Sequence, residues 1–414
     1  MLAVFKNIRI GVFLSFVNLL IQGTAFLVQN GVAKNLGNSE YGFFGILQSD
    51  LLIFGALADF GMATLILAFF AKRATEGQLF RNILQLRFFA SLVVMVAMVV
   101  FALVFRHNHA AFYGELILAP SLILQHAFFD WYFTCGAMWK KLLISKVLHT
   151  VSYATIMTLA LVVWKIESIE IIALCMLVSA LPAWAFGVTS AFNRNLFKIT
   201  KRTFRFIGLM YKAGLPYALA SLASFAYLPA GLYFVDYFAS GEYLSAYNYS
   251  HKLIALASGF MVHFISSSLL SLHDGSDGKV HLKDQFAFTL FILVVCFPLY
   301  LFPELVLKIL FFAAPWTSEM MEQSAFVLRV MSMSLVLQAI RMPYISLLLK
   351  EKKVWKYVAL ISSGGVVNLV LCYWGIRLWG VHLTAAFVLF GDVSLTLLLA
   401  VDAIMCKRYS RSIQ

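Results

Sequence analysis

Twelve apolar runs, each long enough to cross a bilayer, follow one another along this chain. They lie near 10–34, 43–70, 83–105, 112–138, 147–164, 170–191, 210–237, 244–271, 285–306, 322–348, 355–375 and 381–405. A spanning helix needs about 20 mostly apolar residues. In hydrocarbon every backbone N–H and C=O must be satisfied by protein, which leaves helices or closed barrels. The runs are continuous rather than alternating, so strands are excluded. Charged residues make up only 12% of the chain, against about 25% in a soluble domain. The expected fold class is an all-α integral membrane protein with twelve transmembrane helices. The first run is too long for a signal-peptide core, so no removable leader is expected. The five cysteines fall in or beside apolar runs, without the spacing of a metal set or a disulfide framework.

Charge orients the spans. With the N-terminus inside, the inner segments hold 23 of the 32 cations, and the outer loops hold one each at Lys34, Arg106, Lys165, Lys308 and Arg377. The excess of cations follows the positive-inside rule at every loop and puts both termini in the cytoplasm. The net charge of +13 reflects this inner rim facing anionic lipid and is not a nucleic-acid signal.

A short phrase occurs twice. LGNSEYGFFGIL at 36–47 and ASGEYLSAYNYS at 239–250 both read as polar hinges on the outer side, with Glu40-Tyr41 matching Glu242-Tyr243. Their half-chain offset divides the chain into two six-helix halves that begin on the same side of the membrane. Such halves are parallel repeats around an axis along the membrane normal. The expected organisation is a six-helix bundle over 1–192, a cytoplasmic linker over 193–209 and a second bundle over 210–414, with a cavity between the bundles.

Residues 28–73 read VQNGVAKNLGNSEYGFFGILQSDLLIFGALADFGMATLILAFFAKR. With Glu40-Tyr41-Gly42 and Asp59-Phe60-Gly61, this stretch resembles the opening of the polysaccharide flippases of the multidrug/oligosaccharidyl-lipid/polysaccharide exporter superfamily. KAGLPYALASL at 212–222 is similar to that family's Gly-Leu-Pro opening of span 7, and YNYSHKL at 247–253 resembles its opening of span 8. Span 7 departs from the pattern. Its middle is Leu228-Pro229, without the acidic residue many relatives carry, and Asp236 lies nearer the outer end. The resemblance covers the chain in topology and about a quarter of it in motifs. It implies an O-antigen or other polysaccharide flippase of the bacterial inner membrane. The implied partners are an undecaprenyl-pyrophosphate-linked oligosaccharide, membrane lipid and the polysaccharide polymerase machinery.

Polar groups at membrane depth are costly and usually face a cavity. Ser15, Asn18, Gln22 and Gln29 form one stripe on span 1, and Ser245, Tyr249, Lys252, Gly259 and His263 another on span 8. Tyr217, Ser221 and Ser224 share a face of span 7, as do Ser334, Gln338 and Arg341 on span 10. The Ser and Thr residues equally suit helix–helix contacts. Of the intramembrane cations Arg87, Lys252, Arg329 and Arg341, Arg87 can snorkel to the inner surface. Lys252, Arg341 and Arg329 are candidate pyrophosphate ligands, and Asn18, Gln22, Tyr217, Tyr249 and His263 candidate sugar contacts. Asp59 either binds a coupling cation or pairs with a buried cation. Asp130, with His126 one turn earlier, is either a proton or ion site or a hydrogen-bonded pair. Asp392 has no assigned partner. Pro216 and Pro229 bracket span 7 and mark it as a bending element.

The function expected is transfer of a polyprenyl-pyrophosphate-linked oligosaccharide from inner to outer leaflet by alternating access, driven by a Na+ or H+ gradient. A cation-coupled multidrug antiporter of the same superfamily is the alternative, but cationic drugs favour acidic, aromatic cavities. A membrane glycosyltransferase or polymerase fits less well, because no loop exceeds about 20 residues or carries paired carboxylates with a His. No P-loop, zinc motif or nucleophile elbow is present, so neither cofactor nor enzymatic activity is expected.

Overall fold

The computed structural model describes residues 2–62, 77–106, 109–126, 130–135, 138–191, 201–239, 241–272, 282–350 and 353–412. Some side chains within these ranges, Asn18, His126, Asp130 and His263 among them, lie outside the described residues, as do residues 193–200 of the expected linker. The elements are α1 (Leu2–Asp59), α2 (Gly77–Phe105), α3 (His109–Leu118), α4 (Ser121–His126), α5 (Asp130–Cys135), α6 (Trp139–Thr158), α7 (Ile169–Ala191), α8 (Lys201–Phe225), α9 (Leu228–Phe238), α10 (Gly241–Leu272), α11 (Leu282–Leu301), α12 (Pro303–Leu310), α13 (Ser318–Lys350), α14 (Val354–Trp379) and α15 (Thr384–Ser412). A π turn, Leu159–Val163, extends α6, and a 3-10 turn, Val381–Leu383, precedes α15.

Among the described residues seven helices are long and apolar enough to cross a membrane, or up to nine if each of two bent pairs counts as one span. Their outer faces suit lipid. Val93, Val96, Val100 and Leu103 on α2, and Val366, Val370 and Trp374 on α14, are each more than half exposed. A water-soluble surface does not carry such contiguous apolar stripes. The chain is a multi-pass, all-helical membrane protein. It divides into two compact units, residues 24–222, and residues 1–23 with 223–414.

In the unit of residues 24–222, the expected polar hinge over 36–47 is helical except at one residue. Gly37 adopts φ 72 and kinks α1, a conformation that costs glycine no Cβ clash. Beyond the kink Tyr41 and Phe44 are fully buried, so the repeated phrase opens a helix rather than a loop. Its second copy does the same, since α10 begins at Gly241 and buries Tyr243 and Tyr247. The Asn35 amide donates to the Leu161 carbonyl at 2.8 Å, which ties the α1 kink to the π turn. At the far end of this stretch Phe60 and Gly61 take φ 48 and 68 and stop α1. A Cβ on Gly61 would lie 2.4 Å from the Tyr217 Cβ, and one on Gly214 would lie 2.8 Å from the Phe60 carbonyl oxygen. The two glycines thus let the end of α1 and α8 approach backbone to backbone. Met62, Phe80, Trp131, Phe133 and Met210 pack around this junction.

Charge also holds this unit together. Arg87 pairs with Asp59 at 2.8 Å and lies 5.8 Å from the centroid of the Trp131 ring. Arg106, just past α2, pairs with both Asp50 of α1 and Glu115 of α3. These two carboxylates are almost wholly buried.

In the second unit the span read as a bending element breaks at Ala226–Tyr227, between its two prolines. Pro216 itself lies inside α8, as Pro182 and Pro298 lie inside α7 and α11, so these prolines do not interrupt their helices. At the break the Asn368 amide donates to the Ala226 carbonyl at 2.5 Å, and the Tyr227 hydroxyl donates to the Ile361 carbonyl at 2.7 Å. Gly364 and Gly365 of α14 make room, because a Cβ on Gly364 would lie 2.4 Å from the Tyr227 hydroxyl. Side-chain hydrogen bonds bridge α10 and α13 at two levels, the first reinforced by the Ser324 hydroxyl donating to the Ala246 carbonyl at 3.0 Å. Ser250 donates to the Ser324 carbonyl at 2.6 Å, and Ser258 donates to the Gln338 side-chain oxygen at 3.1 Å. Residue numbers rise together across the bridges, so the two helices run parallel.

Two substitutions test these joints. Arg106→Ala leaves two buried carboxylates without their cation and should lower stability by about 3–5 kcal/mol. Thermal unfolding in detergent reads the loss, and adding Asp50→Asn and Glu115→Gln should recover most of it. Gly61→Ala forces an alanine into a left-handed conformation, at about 1–3 kcal/mol before the contact with Tyr217 is counted. A melting temperature equal to the parent's would show that the α1–α8 junction is looser than described.

Candidate substrate and ion sites

Each sequence-predicted residue has a definite setting where its side chain is described. In the unit of residues 24–222, Asp59 is the partner of Arg87, so the carboxylate expected either to bind a cation or to pair with one has a guanidinium beside it. Tyr217 is half-buried, with its Cβ facing Gly61 and its ring beside the aromatic core of that unit. Asp130 and His126 are outside the described side chains.

The remaining candidates belong to the second unit. Lys252 is half-buried on α10, next to His251, which is buried and stacked on Tyr247 with ring centroids 6.4 Å apart. Lys252 lies between the two α10–α13 bridges, and so on a level with the stretch 324–338 of α13. Tyr249 is fully buried and packs edge-on against Phe311 at 4.7 Å and tilted against Trp316 at 4.7 Å. Its place is in an aromatic cluster. Gln22 is half-buried on α1, and the side chains of Asn18 and His263 are not described.

The two arginines of α13 are twelve residues apart, about 18 Å along a helix rising 1.5 Å per residue. Arg341 lies beyond the Gln338 bridge. Its Nη1 donates to the Asp392 carboxylate at 2.6 Å, and its guanidinium lies 5.8 Å from the Tyr227 ring centroid. Asp392 is buried. A buried arginine with a carboxylate and an aromatic face holds its charge without water. Arg329 is exposed. Its Nε donates to the Tyr300 carbonyl at 3.1 Å, and the side chain lines a cavity of about 650 Å³ with Glu304, Lys308, Trp316 and Glu322. The structure therefore puts Lys252 at the level of Arg329 and separates both from Arg341 in depth.

Sequence reading did not find the Asp392–Arg341–Tyr227 cluster. The three residues sit on α15, α13 and at the α8–α9 break, and no local spacing links them. The Arg106 clamp was equally hidden, since Arg106 counts as an outer-loop cation by position and Glu115 falls inside an apolar run. Among the described residues no group of three or more His, Cys, Asp or Glu side chains could hold a metal ion.

No family model matches the chain, and no curated protein does. Solved structures do. A multidrug resistance MATE family transporter of the MOP superfamily, in an inward-facing conformation, aligns with a TM-score of 0.73 over 96% of this chain and 99% of its own, at 14% identity. The lipid II flippase MurJ, inward closed, aligns at 0.71 over 96% of this chain and 87% of its own, at 13% identity. A MOP superfamily transporter from Pyrococcus furiosus, noted for the reversed polarity of its binding pocket, aligns at 0.63 over 96% and 95%, at 14% identity. The chain has the fold shared by these MOP superfamily transporters.

Proposed function

We propose that this protein is a transporter of the MOP type that flips a polyprenyl-pyrophosphate-linked oligosaccharide, an O-antigen repeat unit, from the inner to the outer leaflet of a bacterial inner membrane. In this reading the chain crosses the membrane twelve times with both termini cytoplasmic. The bundles of residues 1–192 and 210–414, joined by the linker, open alternately to the two sides. The observation that carries the reading is Lys252, a half-buried lysine within the long apolar helix α10 of a chain that shares its fold with a lipid II flippase.

The chemistry favours a phosphate cargo. Sugars and a pyrophosphate cannot cross about 30 Å of hydrocarbon without a polar path. An ammonium at that depth is a compact charge on a flexible stem and suits a moving phosphate. Arg329 at Lys252's level, and Arg341 deeper along α13, extend the positive path. Gln22, Asn18, Tyr217 and His263 are the proposed sugar-side residues; Tyr249, expected among them, is enclosed by Phe311 and Trp316 and is not one of them. Coupling to Na+ or H+ would use Asp59, whose pairing with Arg87 an incoming cation must displace, and Asp130.

The MATE likeness favours a second reading, export of cationic drugs. The two part in one assay. Reconstituted protein should move a fluorescent polyprenyl-pyrophosphate oligosaccharide between leaflets. Lys252→Ala should slow that transfer about tenfold, the worth of one charge-assisted hydrogen bond, and Lys252→Arg should retain most of it. Transfer unchanged by Lys252→Ala, together with protein-dependent drug resistance in cells, would move the assignment to the antiporter.

A further inference from the structure

Apart from Arg329, the residues that line the cavity beside it have no role in the transport reading. The cavity lies at the end of a bundle, where α11 stops at Leu301 and the chain turns by 96° into α12. If α11 crosses the membrane, α12 lies along its surface. The faces of α12 agree with that placement. Pro303 and Leu307 are buried against the protein, while Phe302, Leu305, Ile309 and Phe312 are each more than half exposed. A short helix with one apolar face turned outward belongs at the boundary between headgroups and acyl chains.

The charges that line the cavity do not meet. Glu304 and Lys308 are one turn apart on α12, in the order that favours an ion pair on a helix. Glu322 and Arg329 lie across from them on α13. Among the described residues none of the four belongs to an ion pair within 4.0 Å. Arg329 is instead steadied by the Tyr300 carbonyl. Two cations and two anions thus border one space of about 650 Å³ without neutralising each other.

We propose that this cavity binds the headgroup of a phosphatidylethanolamine-type phospholipid, with the phosphate at Lys308 and Arg329 and the primary ammonium at Glu304 and Glu322. The four side chains sum to zero charge. A purely anionic or purely cationic headgroup therefore meets as much repulsion as attraction, and only a ligand carrying both signs gains from all four. The carboxylates accept hydrogen bonds, which a primary ammonium can donate and a quaternary choline cannot. The acyl chains would lie along Phe302, Leu305 and Ile309. The site shares Arg329 with the transport reading but does not rest on it, because lipid retention is read without any cargo.

Full-length protein in detergent, given dioleoyl phosphatidylethanolamine, phosphatidylcholine or phosphatidylglycerol and examined by native mass spectrometry, tests the assignment. Wild type should retain phosphatidylethanolamine about tenfold better than either other lipid, the discrimination of one or two charge-assisted hydrogen bonds. Glu304→Gln with Glu322→Gln should bring phosphatidylethanolamine down to the level of phosphatidylcholine without weakening phosphatidylglycerol. Lys308→Gln with Arg329→Gln should weaken retention of all three. These are exposed positions, and an unchanged melting temperature shows that the fold is kept. Equal retention of the three lipids by wild type, a preference for phosphatidylglycerol, or a phosphatidylethanolamine preference that survives both double substitutions would each overturn the proposal.

Discussion

An arginine buried away from water keeps its charge, so it needs a carboxylate beside it. This requirement organises both units of the protein. Arg87 meets Asp59, Arg106 meets Asp50 and Glu115, and Arg341 meets Asp392. In each case the partners come from different helices or from the segment that follows one. Lys356 of α14 and Asp402 of α15 add a further pair at 2.7 Å. Helices in lipid gain little from burying apolar surface against one another, because the acyl chains are equally apolar. Their sliding and rotation must be fixed by close packing and by polar contacts. A buried ion pair is a poor source of net stability, but one that loses a partner is costly. Pairs of this kind therefore select one register among many with similar apolar contact.

The same logic applies to the backbone. At two interruptions of the helices a freed carbonyl finds a side-chain donor. Asn368 serves Ala226 at the α8–α9 break, and Asn35 serves Leu161 at the π turn. Small residues then let the irregular segment sit against its neighbour, as Gly364 does for Tyr227 and Gly214 does for Phe60. A break is affordable because the helix beside it is shaped for it.

Long-period features were legible in the sequence, and pairings were not. Continuous apolar runs require helices, and the α2 and α14 faces exposed in the structure are the lipid-facing surfaces those runs imply. The repeated Glu-Tyr phrase was visible as a repeat and read as a polar hinge, but most of it is buried helix. Its polar residues suggest solvent, yet Tyr41 and Tyr243 point into the protein, and a single glycine at position 37 makes the turn. Proline was a partial guide to the breaks. Span 7 opens between its two prolines, and Pro120 and Pro303 stand at helix junctions, but Pro182 and Pro298 lie inside unbroken helices. Pro216 continues its helix, while the chain opens two residues before Pro229, where Asn368 and the α14 glycines can receive it. The partner of Asp392 was out of reach because Arg341 is 51 positions away, and an apolar sequence offers many equally good alignments of α13 on α15.

These pairings also limit what a cavity in such a protein can do. A guanidinium already held by a carboxylate attracts an anion less than its formal charge implies, since the carboxylate's field opposes the approach. Arg341, with Asp392 on one side and Tyr227 on another, is in that position. Lys252 differs from it in chemistry and in depth, because the Ser250 and Ser258 bridges set it beside the 324–338 stretch of α13, while Arg341 lies past the second bridge. One phosphate cannot rest on both. In the proposed transport reading, cations at successive depths, the deeper one partly neutralised, would act as graded stations along a route, because a transporter that must release its cargo needs weak, separated contacts more than one strong grip.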